Sequence, residues 1–293
     1  MVSNVNSIIT SGDLGGGLIP TEYATQIIQD APKSSVSLTR MRQIRMSTRT
    51  RTQPVLDSKP IAYWVGGDTG LKQTTKMKWS GLSITAEELA AIVPIPEAVI
   101  ADSGIPIWPE VMPRLASALG YKLDQATLFG VDKPSSFPDG IIPQAIAAHN
   151  MLTQGKDLAK DVASMGQKLA EQGFAMNGFA SKPGLNWELI GLRNANGSPI
   201  YVPSLASGAP STLYGFGLNE VDNGAWDTTK AVLLGADWSN FVVGIRQDIT
   251  YKMLDQSVIS DDNGKVILNL AQQDCVAMRV VFRVGFQIAN PIN

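Results

Sequence analysis

One stretch limits the possible folds more than any other: Asp102 to Gly130, reading DSGIPIWPEVMPRLASALGYKLDQATLFG. Val111, Leu115, Leu119, Leu123 and Ala126 recur every three to four residues with Ala118 on the same side, which is the period of a helix with one buried stripe. Arg114, Ser117, Tyr121, Asp124 and Gln125 fall on the other side, a face expected to meet solvent or a polar partner. Asp102 and Ser103 offer acceptors to the unpaired amides of a helix start, Pro109 suits a first turn, and Gly130 supplies a stop. Pro113 removes a hydrogen bond and crowds the preceding turn, so regular helix is expected from near Glu110 or later. At about 1.5 Å per residue the helix forms a rod of roughly 25 to 30 Å, long enough to act as a spine.

The 293 residues allow two compact units, and 44% hydrophobic residues support a sizeable core. Twenty-four basic and 26 acidic residues leave a formal charge of −2, which argues against holding nucleic acid by overall charge. The single cysteine, Cys275, has no internal disulfide partner, and its setting (DCVAM) is that of a strand entering a core, where a thiol serves as a small hydrophobe. No apolar run approaches the ~18 residues of a membrane span, and no basic segment followed by an apolar one opens the chain. A soluble chain made in a reducing cytoplasm is expected.

Residues 1–17 are polar and end in three glycines, an arm without the strand, helix and lysine that a phosphate loop needs. Residues 19–31 suit a short helix. Between Ala31 and Leu56 every charge is basic: Lys33, Arg40, Arg42, Arg45, Arg49 and Arg51. Alternation of Val36, Leu38, Met41, Ile44 and Met46 predicts extended chain there, its arginines either a patch for nucleic acid or an acidic subunit, or a solvated strand face. Two strand-like runs follow, flanking a turn at Gly66, Gly67 and Gly70, with Tyr63 and Trp64 on one arm expected to face Trp79 on the other. Lys72, Lys76 and Lys78 return along the second arm. Such a hairpin has little core of its own and needs something to lie on, its own chain or a neighbour.

Beyond the spine, KPSSFPDGIIP reads as a loop, 157–173 as a second amphipathic helix, 174–180 as a strand and 186–193 as a short helix. Strands are predicted at 200–202, 231–234, 241–245, 249–253, 266–270 and 276–288. This order is α+β rather than a regularly alternating parallel α/β sheet.

Catalytic groupings are thin. His149 is the only histidine, so a histidine-based hydrolase must use it, yet no serine elbow lies nearby. One cysteine and one histidine do not make a zinc site, and Asp261 and Asp262 before Asn263 and Gly264 look like turn chemistry rather than a calcium loop. Glu87 with Glu88, or Asp57 with Asp68, are the available carboxylate pairs. No enzyme activity and no cofactor or metal is expected.

The order of features resembles a known family. The pieces are an arm ending GGGLIPTEY, a basic segment, a long two-stranded loop, the spine running into LFG, a PDGI turn, NWELIGLRNANGSPIY, PSTLYGFGLN, KAVLLGADWSNFVVGIRQDITYKML and DCVAMRVVFRVGFQIANP. In this arrangement they resemble a major capsid protein of a tailed bacteriophage, of the Hong Kong 97 type, over essentially the whole chain.

The resemblance implies an α+β fold with an amino-terminal arm (1–35), an extended loop (45–82), a peripheral domain (36–44, 83–131 and 265–293) holding the spine helix and a long sheet, and an axial domain (132–264). It implies self-assembly into pentamers and hexamers of an icosahedral head enclosing double-stranded DNA, inside the host bacterial cytoplasm, with no membrane involved. Portal, scaffolding and decoration proteins are the further partners, and the packaged DNA is touched non-specifically. The extended-loop residues Tyr63, Trp64, Leu71, Lys72, Lys76, Lys78 and Trp79 would contact a neighbouring subunit. Arg114 and Lys122 on the spine would line the inner face. Some members cross-link subunits through a loop lysine and a peripheral asparagine, for which Lys72, Lys76 or Lys78 and Asn290 are the available residues, without a visible matching motif. Because the chain opens on a short arm, scaffolding is expected from a separate protein or already absent. The similar encapsulin nanocompartment shell is the alternative.

Overall fold

The computed structural model describes residues 35–58, 62, 64–66, 71–72, 74–75, 78–155, 157–193, 196–198, 201 and 211–289. The expected helix at 19–31 and strand at 200–202 therefore lie outside the described residues or nearly so.

The spine is helix α3, Ile107–Asp124, with Pro113 inside it. It begins earlier than Pro113 suggested, and neither Asp102 nor Ser103 caps it: Pro106 holds the N-cap position, and the Ser103 hydroxyl is turned to the amide and carbonyl of Ile105. Leu115, Leu119 and Leu123 form the buried stripe as expected. A π-helical turn, Gln125–Phe129, then widens the helix and buries four consecutive residues from Ala126 to Phe129, before Gly130 ends it at φ 67°.

The stripe packs on a four-stranded sheet of order β1-β9-β12-β4. β1 is Arg42–Arg45, β4 Glu87–Pro96, β9 Phe241–Leu254 and β12 Cys275–Ile288. β12 runs antiparallel to both β9 and β4, and β1 runs parallel to β9. Val280, Phe282, Val284 and Phe286 alternate inward along β12 and share one core with the spine. β9 is one strand where the sequence suggested two, since the polar run Arg246–Asp248 sits opposite register shifts around Arg283 instead of in a turn.

The segment before β1 is not extended throughout: Val36–Arg40 is a helical turn, α1, with Ser35 as its N-cap. Its anchor is Asp124, expected on the polar face of the spine and in fact fully buried. Ser35 Oγ (2.7 Å) and the Ser37 amide (2.9 Å) donate to its Oδ1, while the Val36 amide (3.1 Å) and Asn223 Nδ2 (2.6 Å) donate to its Oδ2. The Ser37 and Thr127 hydroxyls lie 2.7 Å apart beside it. A buried carboxyl is tolerated here because four donors replace water.

A second four-stranded sheet has order β6-β7-β5-β8. β5 is Gly178–Ser181, β6 Thr212–Leu213, β7 Phe216–Glu220 and β8 Leu233–Ala236. Helices α5, Leu158–Glu171, and α6, Leu185–Gly191, cover it through Val162, Leu185 and Leu189 around Phe179. The stretch read as a loop after PDG contains α4, Ile141–Ala147, which Pro143 disguised. Arg40 joins the two sheets: its guanidinium donates from Nε (2.7 Å) and from Nη2 to Asn219 Oδ1 on β7. Replacing Arg40 with Met should keep the stem packing and lose the charge-assisted bonds, lowering stability by about 1.5–3 kcal/mol in a urea titration.

Candidate assembly interface

β2, Thr50–Ser58, and β3, Lys78–Thr85, form the expected hairpin, standing apart from both four-stranded sheets. Its register places Trp79 opposite Leu56, so the expected pairing with Trp64 does not occur: the arms have left the ladder before position 64 is reached. Tyr63 and Lys76 lie outside the described residues, and Lys78 is placed only as the first residue of β3. Trp64 is 101% exposed, and Leu71, Lys72 and Trp79 are also exposed. Burying each large apolar side chain is worth about 1.5–3 kcal/mol, so this tip carries stabilisation its own chain leaves unused.

The root of the hairpin is built with care. Gly244 on β9 and Gly285 on β12 are register partners, so the outer face of the sheet has a saddle with no Cβ on either strand. Ile84 and Met46 drop into it, making a small core with Ala86 and Val242. The Ala86 amide donates to the Arg49 carbonyl at 2.8 Å, and Gln287 Nε2 on β12 donates to the Ser83 carbonyl at 3.1 Å. Among the described residues, position and direction of the hairpin are thereby fixed from this end. VVGI and RVGF carried this signal, but it needed the β9–β12 register to be legible.

Four arginines of the basic run have partners within the chain. Arg40 is tied to Asn219, Arg45 pairs with Asp248, Arg49 pairs with Glu87 at 3.0 Å, and Arg51 donates to the Arg45 carbonyl at 2.8 Å. Sequence showed the excess of basic charge locally and not the carboxylates that strands far along the chain return to it. Glu87 and Glu88, neighbours on β4, serve separate pairs, the second with Arg283 at 2.7 Å, rather than acting as a carboxylate dyad.

Arg114 and Lys122 are both exposed on α3, and Lys122 pairs with Asp132 at 2.9 Å. His149 is exposed in the loop after α4 at φ 56°. Cys275 is buried at the start of β12, and burial, then Asp274 and Glu97, push its thiol up from its ordinary value, which favours the protonated form. Asp261 accepts from the amides of Asn263 (3.0 Å) and Lys265 (2.8 Å), the turn chemistry expected. Among the described residues no group of three or more His, Cys, Asp or Glu is placed to hold a metal, and no helix is long and apolar enough to cross a membrane. Asn290, the cross-link candidate, lies outside the described residues.

Comparison with known proteins agrees with this geometry. The family described as "Phage capsid family" matches residues 15–292. The major capsid protein of Staphylococcus phage 80alpha is 24% identical over 278 residues, covering 94% of this chain and 82% of that one. The major capsid protein of Klebsiella oxytoca phage phiKO2 is 22% identical over 297 residues, with 96% and 68% covered. A solved chain of Microbacterium phage Oxtober96 superposes with a TM-score of 0.81 at 38% identity, covering 96% of this chain and 93% of that one. One of Mycobacterium phage Cain gives 0.79 at 32%, with 97% and 93% covered. A spine helix on a long-stranded sheet, a second smaller sheet and a projecting hairpin thus occur together with family-wide sequence similarity: the chain belongs to the phage capsid family, with the Hong Kong 97-type fold and the role of a major capsid protein in the head shell of a tailed phage.

Proposed function

We propose that the chain builds this shell from rings of five and six copies around double-stranded DNA, with the β2–β3 hairpin of each copy lying across the next. The observation that carries this reading is the exposed apolar tip around Trp64 on a hairpin anchored, among the described residues, at its root. In a closed shell every copy both gives and receives this contact, so modest individual contacts add up. In this reading 1–35 is the arm and 45–82 the extended loop. Residues 36–44, 83–131 and 265–293 form the peripheral domain, and 132–264 the axial domain. Arg114 and Lys122 line the inner face, and the near-neutral charge of −2 lets a shell confine DNA without gripping it. The role is structural rather than enzymatic. Assembly takes place in the host cytoplasm with portal and scaffolding proteins, and decoration proteins where present.

The test is a Trp64→Ala, Trp79→Ala double variant. The monomer should unfold within about 0.5 kcal/mol of the parent, since exposed positions contribute little to the isolated chain. Shell yield by electron microscopy and sedimentation should fall at least about tenfold, the effect of each ~1.4 kcal/mol lost per contact. Undiminished shell formation would remove the hairpin from the interface. Denaturing gels of parent particles report separately on a covalent link between a loop lysine (Lys72, Lys76 or Lys78) and Asn290: a ladder of multimers would establish that subunits are cross-linked, and a monomer band alone would exclude it.

A further inference from the structure

The smaller sheet has two unlike edges. At the β8 edge an apolar groove of about 460 Å³ opens between α4, α5 and the strand. Ile142, Leu169 and Leu234 line it, and Ile146, Met151 and Leu152 continue it onto the surface as exposed apolar residues. Among the described residues, β8 is the last strand of its sheet, paired on one side only, with β5. The opposite edge, β6–β7, carries exposed aromatics, of which Phe216 also rests edge-on against the buried Phe179 at 6.4 Å between ring centroids. Tyr214 and Phe216 are exposed there, and Trp187 of α6 is 74% exposed. α6 is held to that edge: the Tyr201 hydroxyl lies 3.1 Å from Asn186 Oδ1 and 2.9 Å from the Thr212 carbonyl, and Glu220 Oε1 accepts from the Asn186 amide at 2.7 Å.

We infer that these two edges are the halves of one head-to-tail contact, in which the Tyr214–Phe216 edge and Trp187 of one copy enter the β8 groove of the next copy in the ring. A second copy is the occupant the geometry favours. Protrusion and groove lie on opposite edges of one sheet, where a single chain cannot join them. A contact between different patches of identical chains propagates around a rotation axis and closes into a ring. Aromatic side chains entering an apolar, water-excluding cleft are also the usual anchors of protein interfaces. The inference rests on the reading of the chain as a self-assembling shell protein, and it is independent of the hairpin contact, which uses other elements.

Placing p-benzoylphenylalanine at position 214 of the full-length chain (Tyr214→p-benzoylphenylalanine) tests it. Shells assembled from an equal mixture of isotopically light and heavy chains are verified by electron microscopy, irradiated and digested. The expected result is mixed-isotope cross-links from position 214 to peptides within 141–174 or 228–241. Cross-links only elsewhere, or none in verified shells, would overturn the contact while leaving the capsid reading intact. Failure of the unmodified chain to form shells with its own phage's assembly proteins would instead strike at that reading. Met151→Asp gives the second arm. Met151 is 55% exposed, so the monomer should keep its Tm while ring and shell yield falls at least about tenfold. Normal yield in Met151→Asp would count against the groove as an interface.

Discussion

Asp124→Ala is expected to cost about 3–5 kcal/mol and to lower Tm by on the order of 10 °C. The substitution removes one acceptor group and leaves four donors facing it: Ser35 Oγ, the Val36 and Ser37 amides and Asn223 Nδ2. Each buried donor left unpaired costs about 1–3 kcal/mol, and water entering the small cavity satisfies only some of them. Against a typical domain stability of about 5–15 kcal/mol this is a large fraction. The loss is concentrated, because the same carboxyl holds three separate pieces of chain: the α1 turn, the end of the spine and the loop at Asn223. Asp124→Asn keeps one acceptor but points an amide at other donors, and should fall between the parent and the alanine variant. Urea unfolding followed by tryptophan fluorescence measures the series. A parent-like midpoint for Asp124→Ala would show that the buried bonds are replaced by water at no cost.

Asp124 also marks where sequence reasoning stops. The stripe Leu115, Leu119, Leu123 was legible because a helix repeats locally every three to four residues. Asp124 was assigned by the same period to the polar side, but its partners lie 87 to 99 residues away in sequence, and a local period carries no information about them. The π-helical turn that follows compounds the error, since it rotates the register and buries Ala126 to Phe129 together. Long strands such as β12 were legible from alternation, whereas α1, five residues long, is too short to show a helical period. The assembly surface was legible in kind and not in detail. A hairpin without a core of its own follows from Gly66 and its flanking aromatics, while the offset of Trp79 to Leu56 depends on a register that only the folded root defines.

That root supplies the second large effect. In Gly285→Ala the new Cβ would fall 2.6 Å from the Thr85 carbonyl oxygen and 2.9 Å from Ile84 Cγ2. The first of these is backbone at the end of β3, so no rotamer change relieves it and the strand must lift from the sheet. Overpacking of this kind costs about 1–3 kcal/mol, which the folded chain survives. Assembly should suffer more. β2 extends about 30 Å at roughly 3.3 Å per residue, so a tilt of about 10° at the root carries the tip on the order of 5 Å, more than an interface side chain can absorb. Shell yield is therefore expected to fall at least about tenfold while the monomer still unfolds cooperatively, only a few degrees lower. Gly104→Ala, where a Cβ would meet nothing within 4 Å, is the matched control and should assemble normally. If Gly285→Ala destabilised the monomer yet assembled in full yield, the glycine saddle would serve only to pack Ile84. If both monomer and shells matched the parent, the hairpin would not be aimed from this root at all.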